Sequence, residues 1–159
     1  MKKDRFLNGL LAGIGVLILI ALVLFFIRQQ QAEYREDDSP QGVVHNYILG
    51  LIQHDYERAF SYLADKLEKP DLAQFQMELS RSENEINRVS VTIGEVFFSG
   101  DTATVSLNMS QSYGGPITRS SWYAETAQLI RENGAWKIVS MPYPLWSWNW
   151  YDENFKPIP

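Results

Sequence analysis

Side chains that commonly carry out catalysis are scarce in this sequence, and those present do not stand in catalytic spacings. There is no cysteine, and the only two histidines are His45 and His54, which flank an apolar helical stripe. Zinc and transition metals are held mainly by thiolate and imidazole groups, so we predict no metal site. No serine lies in a Gly-x-Ser-x-Gly setting, and no glycine-rich run follows a strand pattern to hold a phosphate. We therefore predict no bound cofactor.

Aromatic residues suited to binding are more prominent than catalytic ones. The tail 142–159 carries Trp146, Trp148 and Trp150 at alternate positions, so an extended strand would place three indoles on one side. We expect this tail to fold back on its own domain, to contact a partner, or to lie at the membrane headgroup level. The other candidate ligand or partner contacts are Trp122, Tyr123 and Glu125.

The charge balance restricts the class of partner. From Arg28 onward, 11 Lys and Arg stand against 18 Asp and Glu. Phosphate binding depends on clustered Lys and Arg, so an acidic domain of this kind should bind no nucleic acid. The absence of cysteine also excludes disulfides, and stability must come from packing.

One apolar stretch, residues 6–27, predicts a membrane-spanning helix. It contains no charged residue, and as a helix it would be about 33 Å long, enough for a hydrocarbon core of about 30 Å. The chain after it lacks the small-residue cleavage pattern of a secretory signal, so we interpret it as a signal anchor rather than a cleaved signal. Lys2, Lys3 and Arg5 precede it and acidic residues follow, which predicts a cytoplasmic N-terminus in the cell membrane and a domain outside.

The elements that must position the candidate residues begin with helices. Ser39 is suited to cap a first helix, and Asp55 to cap a second that runs to about Leu67. Asp71, with Gln74 three residues later, resembles a capping box that opens a third helix. The sequence therefore predicts about three helices after a polar stalk.

The second half of the domain changes to the period of a β-strand. From Arg88 to Met141, apolar and polar residues alternate, and turns are predicted at Ser99–Asp101 and Asn133–Gly134. Helices followed by about four long antiparallel strands indicate an α+β domain with a curved sheet. The resulting division is a leader 1–5, an anchor 6–27, a stalk 28–39, a domain 40–141 and the tail 142–159.

Two segments resemble a known superfamily. The run VVHNYILGLIQHDYERAFSYLADKL resembles the opening helices of exported nuclear transport factor 2-like domains, and LIRENGAWKIVSM resembles their last hairpin. The resemblance covers about residues 40–141 and implies a cone in which the helices pack on the curved sheet. It also implies that the outer sheet face could form a homodimer, with Trp122 and either Tyr123 or Trp136 contributing.

The resemblance leaves the function open, because the superfamily contains enzymes as well as members without chemistry. Its isomerase-like members imply a general base and a hydroxyl donor inside the cone. Candidate bases are Asp55, Asp65 and Glu125, and candidate donors are Tyr47, Tyr62, Tyr113 and Tyr123. None matches a catalytic motif, and each carboxylate has a simpler interpretation as a helix cap, a solvated residue or an exposed strand residue.

We therefore expect a single-pass protein of a bacterial envelope that presents a non-catalytic domain to a protein partner. The alternatives are a binder of a small apolar ligand and an isomerase- or hydrolase-like enzyme that uses the cone pocket.

Overall fold

The structure is a computed structural model, and it describes residues 10, 13–21, 33–66, 68–112, 120–147 and 150–151. The chain divides into two units, Met1–Glu33 and Tyr34–Pro159. In the first unit, residues 10 and 13–21 are helical. Within the described part of the chain, no helix has both the length and the apolar character needed to cross a bilayer. The leader, most of the predicted anchor 6–27 and stalk residues 28–32 lie outside the described residues.

In the second unit, helices come first and strands follow. The helices are α1 (Pro40–Ile52), α2 (Tyr56–Ser61), α3 (Leu72–Arg81) and α4 (Glu83–Ile86). The strands are β1 (Val89–Ser99), β2 (Thr102–Ser112), β3 (Ser120–Glu132) and β4 (Ala135–Ser140). They form one antiparallel sheet in the order β1-β2-β3-β4. The predicted α+β class and four-stranded sheet are confirmed, while the short helix α4 occupies a segment predicted as a polar break.

Side-chain caps set the starts of the three longer helices. Ser39, Asp55 and Asp71 each accept the backbone N–H of the residue three positions later. Each cap satisfies a donor that would otherwise lack an intrahelical partner, so the predicted helix starts are confirmed. Asp71 forms its half of the predicted capping box by accepting the N–H of Gln74, and the Nε2 of Gln74 donates to Glu78.

Helix α2 ends earlier than its apolar spacing predicts. The spacing continues to about Leu67, which lies outside the described residues, but segment 62–64 lies against the edge of β4. The N–H of Ile138 donates to the carbonyl of Tyr62 at 2.8 Å, and the N–H of Ala64 donates to the carbonyl of Ile138 at 2.9 Å. Pairing with the sheet edge has therefore overridden a local helical preference.

The end of the predicted stalk packs on the domain. The side chain of Asn46 accepts the backbone N–H of Arg35 at 2.7 Å and donates to the Arg35 carbonyl at 2.9 Å. The Tyr34 hydroxyl donates to Asp55 at 3.3 Å, and the Arg58 guanidinium lies 3.5 Å from the centre of the Tyr34 ring. Tyr34 and Arg35, which lie in the predicted stalk, thus belong to the same compact unit as the domain.

The sheet is long and curved. Strand β1 has 11 residues and β3 has 13, and a bulge interrupts β1 between Ile93 and Val96. Phe98 on β1 and Trp136 on β4 have ring centroids 5.8 Å apart, although a flat sheet would separate these outer strands by roughly 14 Å. The contact indicates that the two sides of the sheet bend towards each other, as the strand lengths predicted.

Candidate protein-interaction surface

The tail after β4 folds into the core of its own domain. Leu145, Trp146 and Trp150 are buried. The two indoles pack edge to face with centroids 4.9 Å apart, and Trp150 stacks on Phe75 of α3 at 5.1 Å. The hydroxyl of Tyr47 in α1 donates to the carbonyl of Leu145 at 2.6 Å. Of the three alternatives predicted for the tail, the structure shows the first, in which the tail folds back on its own domain.

The conformation of the tail differs from the extended strand that its alternating tryptophans predict. Residues 143–146 form turns and bends, and the Tyr143–Pro144 bond is cis. Trp148 lies outside the described residues. Because Trp146 and Trp150 are core residues, a partner could reach them only if the tail moved.

None of the three carboxylates named for an enzyme is buried, although Glu125 lies on the inner side of the sheet. Asp55 caps α2, and Asp65 is an almost fully exposed residue whose carboxylate is 3.9 Å from the Lys69 ammonium. Glu125 is exposed on β3, opposite Leu107 of β2. A general base of the isomerase type needs burial to raise its pKa, and none of these three residues is buried.

The tyrosines named as hydroxyl donors differ in their burial and in their hydrogen bonds. Burial raises the pKa of Tyr47 well above its usual value, and its hydroxyl is committed to the Leu145 carbonyl. Tyr62 and Tyr123 are half-buried, and Tyr113 lies outside the described residues. Within the described residues, we find no tyrosine placed beside a buried carboxylate.

The outer face of the sheet is free of charge along most of its two central strands, and its charged residues, Glu95, Glu132 and Lys137, lie at the margins. The inner face is defined by buried residues of β2 and β3, and the alternate positions face outward. The outward residues with described side chains in the first three strands are Ser90, Thr92, Glu95, Phe97, Ser99, Thr102, Thr104, Ser106, Asn108, Ser110, Trp122, Ala124, Thr126, Gln128, Ile130 and Glu132, of which Ser110 is buried. We call this set the outer sheet surface. Of its two acidic residues, Glu95 lies in the bulge of the edge strand β1, and Glu132 lies at the end of β3 and accepts the backbone N–H of Asp65.

Two exposed aromatic side chains mark this surface. Trp122 is 67% exposed and pairs with Ser110, while Phe97 is 59% exposed and pairs with Thr104. Charged residues make up 21% of the chain, so the run of uncharged outward positions from Thr102 to Ser110 on β2 and from Trp122 to Ile130 on β3 departs from the rest of the molecule. Depletion of charge around exposed aromatic residues is typical of the centre of a protein interface.

The strand register changes which aromatic residues belong to the outer face of the sheet. Tyr123 pairs with the buried Met109, and Trp136 lies two positions from the buried Ile138 in β4. Both therefore belong to the inner side of the sheet. Of the aromatic residues predicted to form a pairing face, Trp122 alone lies on the outer sheet surface, and Phe97 was missed. The sequence signal for Phe97 was its position two residues before a predicted turn.

Two clefts lie beside the tail. One has a volume of about 300 Å³ and the other about 360 Å³, and both are lined in part by Tyr143 and Trp146. The first also includes Glu78, Arg81 and Ser82 at the end of α3. Neither cleft is lined by Asp55, Asp65 or Glu125. The clefts therefore do not assemble the expected catalytic groups.

No protein-family model matches the chain, and no curated protein matches it. Several solved structures are similar to it. A protein of Thiobacillus denitrificans described as a calcium/calmodulin-dependent protein kinase type II association domain is 12% identical, with 64% of this chain and 90% of that one covered and a TM-score of 0.49. A candidate ketosteroid isomerase of Shewanella frigidimarina is 18% identical, with 65% and 91% covered and a TM-score of 0.49.

A third similar structure carries the superfamily's name. It is described as a nuclear transport factor 2-like transpeptidase of Campylobacter jejuni and is 16% identical, with 63% of this chain and 96% of that one covered and a TM-score of 0.45. The likeness is one of fold. Proteins named as nuclear transport factor 2-like are thus among the structures similar to this chain.

Proposed function

We propose that this protein is a single-pass membrane protein whose domain binds a protein partner through the outer sheet surface and carries out no reaction itself. The observation that carries the proposal is the lack of charge at the outward positions of β2 and of β3 up to Ile130, in an otherwise acidic domain. Trp122 supplies the exposed aromatic anchor that such interfaces use. Small uncharged neighbours, such as Ala124 and Thr126, allow a partner to approach the sheet without desolvating a charge.

The arrangement of the core supports binding over catalysis. Aromatic side chains from α1, α3 and the tail pack together in the single core cluster that also contains the inner face of the sheet. The carboxylates that an isomerase-like mechanism would need are at the surface. If the protein were an enzyme, its catalytic groups would therefore have to differ from those that the superfamily resemblance implies.

The membrane anchor is supported by the sequence. Residues 6–27 are uncharged and long enough to span a bilayer, and the basic leader predicts a cytoplasmic N-terminus. Extraction of membranes with alkaline carbonate tests this part, because it releases peripheral proteins and leaves spanning ones. We expect full-length protein in the pellet; a soluble product shorter by about thirty residues would indicate a cleaved signal instead.

A small apolar ligand is the second candidate, favoured by the cleft of about 360 Å³ between Ser140, Tyr143 and Trp150. This volume is at the lower end of the range used for small molecules. A ligand bound there would raise the melting temperature of the wild-type protein and lose that effect in Tyr143→Ala. The same substitution should leave partner binding at the outer sheet surface unchanged.

The direct test of partner binding is purification of the tagged full-length protein from solubilised membranes. We expect a protein to co-purify at a fixed stoichiometry and to survive washing at about 0.5 M salt, because an uncharged interface depends little on screened charges. Recovery of the protein alone under gentle detergent conditions would contradict the proposal.

A further inference from the structure

The two edges of the sheet differ in how they are covered. On β4, Ile138 exchanges hydrogen bonds with segment 62–64, and the Lys137 ammonium donates to the Ser61 carbonyl at 2.6 Å. Along β1, no segment among the described residues forms a bridge of this kind with the outward edge. In the part of the chain that the structure describes, β1 therefore forms the open edge of the sheet.

The backbone groups available at that edge follow from the turn that ends β1. Gly100, with a φ of 58°, and Asp101 connect Ser99 to its partner Thr102. Residues that flank a two-residue turn direct their backbone groups at each other, and this orientation alternates along an antiparallel pair. The N–H and C=O groups of Phe98, one position before Ser99, therefore point away from β2. Val96, one alternation further, presents its groups in the same direction.

The side chains beside this edge favour an incoming strand with a particular pattern. Phe97 and Phe98 are 59% and 64% exposed, and the segment from Val96 to Ser99 contains no charge or proline. Natural proteins usually protect edge strands with charged residues, prolines or bulges. The bulge of β1 ends at Val96, so the aromatic part of the edge from Val96 to Ser99 is open to pairing. Exposed carboxylates flank the segment at Glu95 and Asp101.

These carboxylates also bear on the choice of occupant. If two copies paired with Phe98 opposite Phe98, Glu95 of one copy would face Asp101 of the other. Like charges directly opposite each other destabilise a strand pair, and each domain carries a net negative charge. A partner segment with Lys or Arg at its ends would instead face opposite charges.

We infer that the edge of β1 from Val96 to Ser99 docks an extended segment of a protein partner, apolar at alternate positions and flanked by Lys or Arg. The segment extends the sheet by backbone hydrogen bonds to Val96 and Phe98, while its apolar side chains, which share one face, cover Phe97 on the outer side of the sheet. The inference rests on the proposed function, because it specifies how the partner is held.

The test uses full-length protein in mild detergent and a fluorescent synthetic peptide of alternating Val and Thr with two Lys residues at each end. One control peptide replaces the Lys residues by Glu, and a second carries N-methyl groups at every Val and Thr, so that neither of its edges can donate a hydrogen bond. We expect saturable binding of the Lys peptide and at least about tenfold weaker binding of both controls, since one lacks the charge match and the other the hydrogen-bond donors. Equal binding of either control would overturn the inference.

A matched pair of variants tests the same edge on the protein. Phe98→Pro removes an outward N–H, whereas Phe98→Val removes the ring and keeps that donor. We expect Phe98→Pro to weaken peptide binding by at least about tenfold and Phe98→Val by a smaller factor. Equal effects of the two variants would overturn the inference, and the N-methylated peptide decides the matter if the proline variant does not fold. A dimer that Phe98→Pro dissociates would also overturn it, because the occupant would be a second copy.

The partner purification separates failure of this inference from failure of the proposed function. If Phe98→Pro retains the co-purified partner while Trp122→Ser loses it, the partner uses the outer sheet surface and the inference about the β1 edge is wrong. If the wild-type protein yields no partner, the proposed function fails, and the peptide experiments still decide whether the edge accepts a strand.

Discussion

The hydroxyl of Tyr47 donates to the backbone carbonyl of Leu145 at 2.6 Å, which fastens the tail after the last strand to the first helix of the domain. Both groups are buried, so the bond forms where water cannot replace it. Tyr151 makes a second attachment through its hydroxyl to the Ala64 carbonyl. The tail is therefore part of the folded domain rather than an appendage.

Deletion of everything after Pro142 should lower the melting temperature by at least about 10 °C. The deletion removes the buried Leu145, Trp146 and Trp150, each of which is expected to contribute about 2–5 kcal/mol. Circular dichroism or calorimetry of the purified wild-type and truncated proteins measures the change in melting temperature. Tyr143→Ser is the control, because Tyr143 is 65% exposed and its loss should shift the melt by only a few degrees. A deletion that melts like the wild type would show that the tail does not pack in this way.

Tyr47→Phe should change how stability depends on alkaline pH. Burial raises the pKa of Tyr47 in the folded protein above its value near 10 in the unfolded chain. As the pH rises above 10, the unfolded chain releases the proton and the folded protein keeps it, so the free energy of unfolding falls by about 1.4 kcal/mol per pH unit from this group. The variant should be less stable at pH 7, because it lacks the hydrogen bond to Leu145, but its decline above pH 10 should be shallower. Parallel declines of wild type and variant would mean that Tyr47 is not shielded.

Asn46→Ala should release the segment that leads into α1. Asn46 is 4% exposed and bonds both backbone groups of Arg35, so the substitution should cost about 1–3 kcal/mol of unfolding free energy. It should also speed hydrogen exchange at the amide of Arg35. Because these bonds use only the backbone of that residue, Arg35→Ala should preserve both stability and protection. If the arginine variant were as damaging as the asparagine variant, the clamp would not explain how the segment is held.

The local elements of the fold could be predicted because local chemistry determines them. Ser39, Asp55 and Asp71 cap the helices whose starts they predict, and the hairpin at Asn133–Gly134 forms where its turn residues stand. The features that the sequence did not predict depend on contacts between residues far apart in the chain. Segment 62–64 keeps a helical spacing in sequence, yet its pairing with β4 depends on a strand more than seventy residues later.

The candidate site could be predicted only in part. Trp122 was identified from its residue type, but the face on which it lies depends on the register between β2 and β3. The uncharged character of that face was visible in the run Thr104, Ser106, Asn108 and Ser110, although one strand could not show that its neighbours would match. Trp146 and Trp150 stood out as contact residues for the same reason as Trp122, and only the folded structure distinguishes the buried pair from the exposed residue.

The central claim is that the outer sheet surface binds a protein partner, and Trp122→Ser tests it against Tyr143→Ser. The two aromatic residues are similarly exposed, at 67% and 65%, but only Trp122 lies on the outer sheet surface. Both variants should melt within a few degrees of the wild type, since neither residue is buried.

The decisive measurement is the amount of partner recovered per mole of tagged full-length protein from solubilised membranes. We predict that Trp122→Ser loses most of the partner, a reduction of about tenfold or more, while Tyr143→Ser recovers as much as the wild type. Equal recovery with both variants would contradict the assignment of this surface as the binding site.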